Sequence, residues 1–312
     1  MKRRDAIKTT LATGAAAAAL PSVAQGFFNV PKPNPISLAQ WSLHREIGSG
    51  KLAAIDFPLV TRTRYGLAGC EYVNSFYRGK ENDQAYLMDL QKRANDNGVT
   101  SVLIMIDGEG RLGDPDDAKR SKSIENHRRW IEMAQFLGCK TVRVNAASSG
   151  SFDEQQKLAA DGLSRLTDLA KPYGLNVVVE NHGGLSSNGE WLAGVMKMVN
   201  KPTCGTLPDF GNFHLGGGKW YDRYQGVSEL MPFAKAVSAK SHEFGDDGKE
   251  TKTDYTKMMN IVREAGYTGW VGIEWEGGSP NEDQGILLTK HLLEKNGCKA
   301  SQSGNGPFEY KG

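Results

Sequence analysis

The chain has 312 residues, and its 38 lysines and arginines nearly balance its 36 aspartates and glutamates, which gives a formal net charge of +2. A surface that follows a nucleic-acid backbone or an anionic membrane normally shows a marked basic excess, so this balance argues against both kinds of partner. The length suits one large α/β domain, and no low-complexity or Pro/Ser-rich linker divides the chain after residue 35.

The first 24 residues have the pattern of an export signal. A basic start (KRR, residues 2–4) precedes an alanine-rich apolar stretch (11–20), and small residues (SVA, 22–24) stand where a signal peptidase cleaves. The run RRDAIK resembles the twin-arginine type, with Ala6 where that motif prefers phenylalanine. A membrane anchor is the alternative, but it would need about 20 apolar residues. We therefore expect removal of residues 1–24 and a periplasmic protein without membrane contact, whose net charge is −1 because the signal carries +3.

From residue 36 onward, short apolar runs alternate with helical patterns. The predicted strands are residues 36–43, 69–74, 99–106, 140–146, 175–181, 203–210, 234–240 and 270–276. The predicted helices are residues 52–65, 82–97, 116–137, 152–173, 190–199, 221–231, 254–265 and 283–295, several of which end at a glycine, as helices commonly do. Runs with little alternation, such as VLIMI and NVVV, are typical of parallel strands buried on both faces.

Strict alternation through eight strand-helix units predicts an α/β fold, the single-domain (β/α)8 TIM barrel. An open doubly wound sheet is the alternative, but no G-x-G-x-x-G follows the first strand. We assign residues 36–297 to the barrel, 25–35 to a lead segment and 298–312 to a C-terminal tail.

The four cysteines are too few and too irregularly spaced for a disulfide scaffold, and they show no C-x-x-C spacing typical of zinc sites. We expect buried free thiols.

Three acidic residues each end a short apolar run: Glu180 in VVVENH, Asp209 in CGTLPDFGN and Glu274 in GWVGIEWEG. Their separations of 29 and 65 residues match about one and two strand-helix units of roughly 30 residues each. Since the carboxyl ends of barrel strands converge, these three carboxylates should share one site. They would repel each other without a cation, and hard oxygen ligands favour Mg²⁺ or Mn²⁺.

The motifs VVVENHGG, LPDFGN and GIEWEG resemble the xylose isomerase-like barrels, the sugar phosphate isomerases and epimerases, over residues 36–295. The segments SLAQWSLHR, LIMIDGEG and VRVNA are similar to those of an exported bacterial branch of that superfamily. In its ketose 3-epimerases a Glu, an Asp, a His and a Glu from strands five to eight hold the metal. The resemblance implies that Glu180, Asp209 and Glu274 are ligands, and that Glu180 and Glu274 move a proton next to a sugar carbonyl from opposite faces.

Strand seven departs from the family. It reads Ser238-Ala239-Lys240-Ser241-His242, with Ser238 where the metal-binding histidine is expected. Residues two apart in a strand share a face, so Ser238, Lys240 and His242 should all face the barrel mouth. Three outcomes stay open: His242 supplies the missing ligand, water does, or the Lys240 ammonium partly replaces the ion.

Other polar and aromatic residues near predicted strand ends suit a carbohydrate, which needs hydrogen-bond partners and apolar walls. The predicted substrate-binding residues are His182, Asn212, Lys240, Arg143, Asn145, Asp107, Gln40, His44, Trp41, Glu71, Trp275 and Glu276, with Glu109, Asn74 and Phe210 as further candidates. Glu276 either faces the mouth or bends into the following loop. His44 is more typical of a structural residue, and His127 should be solvated.

The loops after strands seven and eight, where such barrels usually bind phosphate, are acidic (HEFGDDGKE and EWEGGSPNED). The expected partner is therefore a free sugar or glycoside, and a homo-oligomer stays open. The main hypothesis is a metal-assisted sugar isomerase or epimerase. A lyase or hydrolase of 3-keto glycosides and a periplasmic sugar-binding protein without turnover are the alternatives. An apurinic-site endonuclease of the same fold is disfavoured, because it needs three zinc ions and more than the six histidines present.

Overall fold

The computed structural model describes residues 32–300. The predicted signal peptide, most of the lead segment and most of the tail lie outside the described residues.

Eight parallel strands form the sheet, as predicted. They are Ile36–Ala39, Gly69–Val73, Thr100–Met105, Thr141–Val144, Asn176–Glu180, Cys204–Leu207, Val237–Ser241 and Val271–Trp275, called strands one to eight below. Strands one to six are ordered side by side, and strand eight and then strand seven continue the sheet beyond strand one. Single bridges, Thr206 to Ala234 and Asp209 to Ser238, bring strand seven against strand six. The sheet therefore curls round as a (β/α)8 barrel does.

Helices surround the strands. They are His44–Gly48, Phe57–Thr63, Gln84–Asp96, Asp117–Phe136, Phe152–Ala170, Gly189–Val199, Arg223–Leu230, Tyr255–Glu264 and Glu282–Lys295. The last seven begin after a capping aspartate, serine or asparagine whose side chain accepts backbone N–H groups. The single-domain barrel and its element order are confirmed, and most helix bounds agree with prediction within two residues.

Three regions differ from prediction. The helix predicted over residues 52–65 is a 3-10 turn, Ala54–Asp56, followed by a shorter helix, Phe57–Thr63. Strand one ends at Ala39 rather than at residue 43, because the chain turns into a 3-10 helix over Gln40–Leu43. An unpredicted antiparallel hairpin, His214–Gly216 with Lys219–Trp220, follows strand six. Its turn contains Gly216, Gly217 and Gly218, all with positive φ. Because a run of glycines carries no apolar side chains, the apolar pattern of the sequence did not indicate strands here.

The core has two layers. Large apolar side chains between sheet and helices form the main cluster, whereas a smaller one fills the barrel interior: Ala39, Val73, Leu103, Met105, Val178, Leu207 and Ala236. This inner layer supports the polar residues that follow it along the strands.

The four cysteines are free, and three of them are buried, which confirms the expectation of unpaired thiols. Within residues 32–300, none of the helices combines the length and apolar character that crossing a membrane requires.

Candidate active site

The inward direction of the key side chains follows from strand periodicity. Val178 and Leu207 lie in the barrel interior, so Glu180 and Asp209, two residues further along, point into it one layer higher. Ala236 places Ser238 and Lys240 on the inner face of strand seven in the same way. The parallel sheet thus aligns these polar groups at the carboxyl ends of strands five to eight.

Glu180, Asp209 and Glu274 meet as predicted. One carboxylate oxygen from each lies within 4.8 Å of the others, and no more than 2% of any of the three residues is exposed. Because burial of several like charges is costly, the groups around them decide what the cluster can bind.

Asp209 is held firmly. Its Oδ1 accepts the backbone N–H groups of Gly211 and Asn212, both at 2.8 Å, so the turn after strand six fixes the carboxylate. Asn181 fixes the backbone of the same residue, since it accepts from Asp209 N at 2.7 Å and donates to Asp209 O at 3.0 Å. Asn181 is a positioning residue that the sequence reasoning missed, although it adjoins Glu180 in the ENH motif.

Ser238 lies between two of the acids. Its Oγ is 2.6 Å from Asp209 Oδ2 and 2.9 Å from Glu274 Oε2. A hydroxyl has one hydrogen and donates to one carboxylate at a time. At the position where the resemblance implies a histidine ligand, the chain therefore has a bridging hydroxyl.

Lys240 brings a positive charge into the cluster. Its side chain is 1% exposed, and Nζ lies 3.2 Å from Glu274 Oε1, 3.0 Å from Glu276 Oε2 and 3.9 Å from Asp209 Oδ2. Burial by itself lowers the pKa of this lysine, but the surrounding carboxylates outweigh burial and hold its pKa well above the ordinary value. The ammonium is therefore charged at neutral pH.

Arg143 is the second buried cation. Its Nε is 2.8 Å from Glu180 Oε2, and one terminal nitrogen is 2.7 Å from Asp107 Oδ1. Asn212 completes this side by donating from Nδ2 to Glu180 Oε1 at 2.9 Å. Glu180 is thus oriented from two directions.

The two cations do not fully compensate the acids. Burial and neighbouring carboxylates raise the pKa of Glu180 and of Asp209 above their ordinary values, although Arg143 and Lys240 oppose this effect. The cluster therefore tends to hold a proton, or to attract a further cation, near neutral pH.

The residues fit a divalent metal ion. Three hard carboxylate donors are within reach of one ion, and Glu180 Oε2 has no well-aligned hydrogen-bond donor despite its burial. Among the described residues this is the one group of three or more metal-ligand side chains that lie close together. His242 is not part of it, and its Nε2 lies 3.8 Å from Glu276 Oε2.

Several predicted substrate-binding residues lie around this cluster. Asp107 accepts from Asn145 Nδ2 at 2.6 Å and pairs with Arg143, while His182 is exposed at the mouth. Glu276, whose direction the sequence left open, points toward Lys240 and accepts from Trp41 Nε1 at 3.1 Å.

Trp41 is half-buried and stacks on His44, with ring centroids 4.6 Å apart. Because His44 Nδ1 also lies 2.7 Å from Trp41 O, this histidine supports the tryptophan, which agrees with a structural role.

Other predicted residues do not face the mouth. Trp275 is fully buried on the outer side of strand eight and packs over Gly285 of the last helix, because its neighbour Glu274 takes the inward direction. Phe210 is likewise buried outside the barrel, against Tyr255. Gln40 is buried and joins Tyr77 OH to the backbone N–H of Val73.

Glu71 is inside the barrel but below the acids. Its carboxylate accepts from Ser37 Oγ at 2.6 Å and fills the space left by Gly272, two residues before Glu274. Burial raises its pKa to about 7.

The two remaining candidates, Glu109 and Asn74, also have internal partners. Glu109 is buried and accepts hydrogen bonds from Arg129 and Trp130 of the helix Asp117–Phe136. Asn74 hydrogen-bonds with the backbone N–H and C=O groups of Asp107. His127 was expected to be solvated, but it is 3% exposed and bonds Ser123 O. His127 lies on the inward-packing face of the helix Asp117–Phe136. The charged residues beside it in the sequence (NHRRW) had suggested an exposed face instead.

Comparison with known proteins decides the family. The family model described as xylose isomerase-like TIM barrel matches residues 63–294. This chain belongs to that family. The resemblance drawn from the strand-end motifs is therefore confirmed.

Among curated relatives, an inosose dehydratase from Geobacillus thermodenitrificans is 27% identical over 146 residues, which are 40% of this chain and 48% of that protein. The chain thus matches about half the length of that relative. L-ribulose-5-phosphate 3-epimerase UlaE from Salmonella typhi is 21% identical and covers 65% of this chain and 73% of its own length.

Solved structures share the fold. The 3-keto-D-glucoside 4-epimerase YcjR from E. coli has a TM-score of 0.63 at 15% identity, with 78% of this chain and 94% of YcjR covered. The IOLI protein with a bound zinc atom has a TM-score of 0.64 at 15% identity (86% and 100% covered). A barrel from Mycobacterium smegmatis in complex with magnesium has a TM-score of 0.61 at 15% identity (83% and 95% covered). The relatives are sugar-acting enzymes, and the barrels of this fold include zinc and magnesium complexes.

Proposed function

We propose that the protein is an isomerase or epimerase that moves a proton next to the carbonyl group of a free sugar or sugar derivative. The observation that carries the proposal is the buried cluster in which Glu180 and Glu274 lie together with two cations, Arg143 and Lys240. Epimerisation requires one group that removes a proton from carbon and one that returns it, and two carboxyl groups can share these tasks.

The cations supply the electrostatic part of the chemistry. Removal of a proton next to a carbonyl places negative charge on the carbonyl oxygen, and preorganised positive groups stabilise that charge. Arg143 and Lys240 are nearly fully buried, so solvent screens them little. Asn212, which contacts both Glu180 and Lys240, keeps base and cation in one arrangement.

Glu180, Asp209 and Glu274 would also hold a divalent ion, for which Mn²⁺ or Mg²⁺ suits the oxygen donors. Bound there, the ion would polarise the carbonyl group of the substrate.

The substrate is proposed to lack a phosphate. The loop after strand seven carries Glu243, Asp246 and Asp247, and Glu276 and Glu282 follow strand eight, so the usual phosphate-binding region of such barrels is acidic. The 3-epimerase relative acts on a sugar phosphate by its name, so this chain would differ from it in that respect.

The decisive experiment is exchange of a sugar C–H proton with D₂O, followed by NMR over free ketoses, inososes and 3-keto glycosides. Wild type should exchange one proton, and Glu180→Gln and Glu274→Gln should each abolish exchange. Glu243→Gln, an exposed acid outside the cluster, is the matched control and should leave exchange unchanged. Exchange that survives both cluster substitutions would contradict the proposal.

A second candidate, elimination, is favoured by the similarity to an inosose dehydratase. It begins with the same proton removal. The electron pair left on carbon then forms a C=C bond, while the group on the next carbon leaves with its bonding electrons and takes up a proton. The product is an unsaturated ketone, so growth of enone absorbance separates elimination from epimerisation. Sugar binding with neither exchange nor elimination would identify a binding protein without turnover.

A further inference from the structure

The hairpin after strand six continues directly from the cluster. Asn212 donates to Glu180, Phe213 is fully buried, and His214 begins the first hairpin strand. A backbone bond from Tyr221 N to Phe213 O, 2.9 Å long, closes the base of the hairpin. The segment between these anchors is therefore fixed relative to the catalytic acids at its base.

Trp220 is the most unusual residue of this hairpin. It is 60% exposed, although an exposed tryptophan leaves a large apolar ring in water. His214 lies across the hairpin from it, with ring centroids 4.9 Å apart, and supports one side of the ring. Because more than half of Trp220 is exposed, much of its ring is accessible, and the neighbouring turn of Gly216, Gly217 and Gly218 carries no side chain.

The hairpin that carries Trp220 lies at the mouth of the barrel. The hairpin packs against the 3-10 turn Gly184–Ser187, which follows Glu180 and His182 at the carboxyl end of strand five. Among the residues that the structure describes, the exposed large aromatic side chains are Phe152 and Trp220, and both follow strand ends on this face. Trp41 and Phe76 provide aromatic surface in the 3-10 turns that follow strands one and two, across the barrel.

We propose that Trp220, supported by His214, binds a second sugar ring beside the ring that reacts at Glu180 and Glu274, so that the substrate is a glycoside or disaccharide. This inference rests on the proposed function, and it adds a binding subsite and a substrate class to it. The C–H face of a pyranose ring matches an open indole face in size and apolarity, while its hydroxyl groups remain free for water. Fixing this ring on the hairpin would orient the linked ring over the acids, and such remote binding energy raises turnover as well as affinity.

Binding without turnover tests this subsite independently of the chemistry. Saturation-transfer NMR titrations compare glucose with cellobiose, maltose and trehalose, none of which needs to react. For wild type, at least one disaccharide should bind about five- to tenfold more tightly than glucose, the size of effect expected for one aromatic contact. Trp220→Ala should remove that preference and leave glucose affinity unchanged, whereas Trp220→Phe, which keeps a ring, should retain most of it.

Tryptophan emission gives a second readout. Disaccharide binding should shift or quench the fluorescence of wild type, and Trp220→Phe should lose that change while still binding. Sedimentation of wild type and Trp220→Ala should give the same mass, because the ring is assigned to sugar and not to a second copy of the chain.

Three results overturn the inference: no disaccharide binds more tightly than glucose, the preference survives Trp220→Ala, or Trp220→Ala changes the oligomeric state. If the disaccharide preference holds while no C–H exchange or elimination is found, the proposed function fails and the subsite stands. If exchange occurs but the preference is missing, the subsite fails alone.

Discussion

The buried ammonium of Lys240 lies 3.2 Å from Glu274 Oε1, inside the group of acids that would hold a metal. Ser238, on the same strand as Lys240, places its Oγ between the carboxylates of Glu274 and Asp209. Strand seven thus offers a cation and a hydrogen-bond donor to the acids, where the family resemblance implies a histidine ligand.

Lys240→Met tests the buried cation. The substitution keeps much of the aliphatic stem and removes the charge, so the packing loss is small and the electrostatic loss large. We expect proton exchange to fall by at least about 10²-fold, the low end for loss of one preorganised group at a reacting centre. Lys252→Met, in the loop after strand seven and half exposed, is the matched control and should keep full activity. Full activity of Lys240→Met would remove Lys240 from the site.

Asp209→Asn tests the shared ion. The amide oxygen can still accept the backbone N–H groups of Gly211 and Asn212, so the turn should persist while the site loses one negative charge. Mn²⁺ or Mg²⁺ bound to wild type should stabilise it by about 2.7 kcal/mol at 100 times the dissociation constant, and the variant should lose this stabilisation. Metal content and thermal midpoint with and without added Mn²⁺ measure both effects. Equal metal content in the two proteins would contradict a shared ion.

The N-terminal segment gives a prediction about location. We propose that residues 1–24 direct export and are removed, so that protein recovered from the periplasm begins near Gln25. Replacement of Arg3 and Arg4 by lysine should reduce periplasmic recovery if the twin-arginine route is used. N-terminal sequencing and cell fractionation measure these outcomes, and periplasmic protein that retains Met1 would argue against processing.

The barrel and its three acids could be predicted because each depends on local pattern. Buried parallel strands give continuous apolar runs, and a carboxylate at the end of such a run, as in VVVE, has few explanations other than a site. Strand order then brings Glu180, Asp209 and Glu274 together without further information.

Prediction of the remaining site residues depended on whether each side chain points into or out of the barrel. The sequence specifies this only when the end of the strand is known. Trp275 was assigned to the mouth with Glu274, yet adjacent residues in a strand point to opposite faces, and Glu274 takes the inner one. Gln40 was placed in a strand that had already turned into a 3-10 helix. The bridging role of Ser238 could not be foreseen, because it depends on the spacing of two acids from other strands.

Glu71→Gln should change how stability depends on pH. Burial raises the pKa of Glu71 to about 7, from the ordinary value of 4.5 for an unburied glutamate. A raised carboxyl pKa means that the folded state holds the proton more tightly than the unfolded state does. The contribution of Glu71 to the free energy of unfolding is therefore complete below pH 4.5 and is lost as pH rises through 7. The loss amounts to about 3 kcal/mol.

Glutamine stays neutral at every pH and avoids this loss. The free energy of unfolding of Glu71→Gln should therefore improve relative to wild type between pH 4.5 and pH 8, whatever the constant cost of the buried amide. Urea unfolding at several pH values measures the difference, and the exposed Glu264→Gln serves as control. A difference that does not vary with pH would show that Glu71 does not hold its proton in the folded protein.

Ser238→His examines the position at which the chain leaves its family. Ser238 is 1% exposed and lies between Asp209 and Glu274, so an imidazole placed there would add a nitrogen ligand to three carboxylates. We expect divalent metal to bind at least about tenfold more tightly than to wild type, because loss of a supporting residue alone typically costs that much. Ser238→Ala is the matched control, since it removes the bridging hydroxyl without adding a ligand and should not tighten binding. Mn²⁺ titration monitored by electron paramagnetic resonance measures the affinity without any substrate. If both variants bind metal as wild type does, the acids take no ligand from strand seven, and Lys240 remains the only contribution of that strand to the charge of the site.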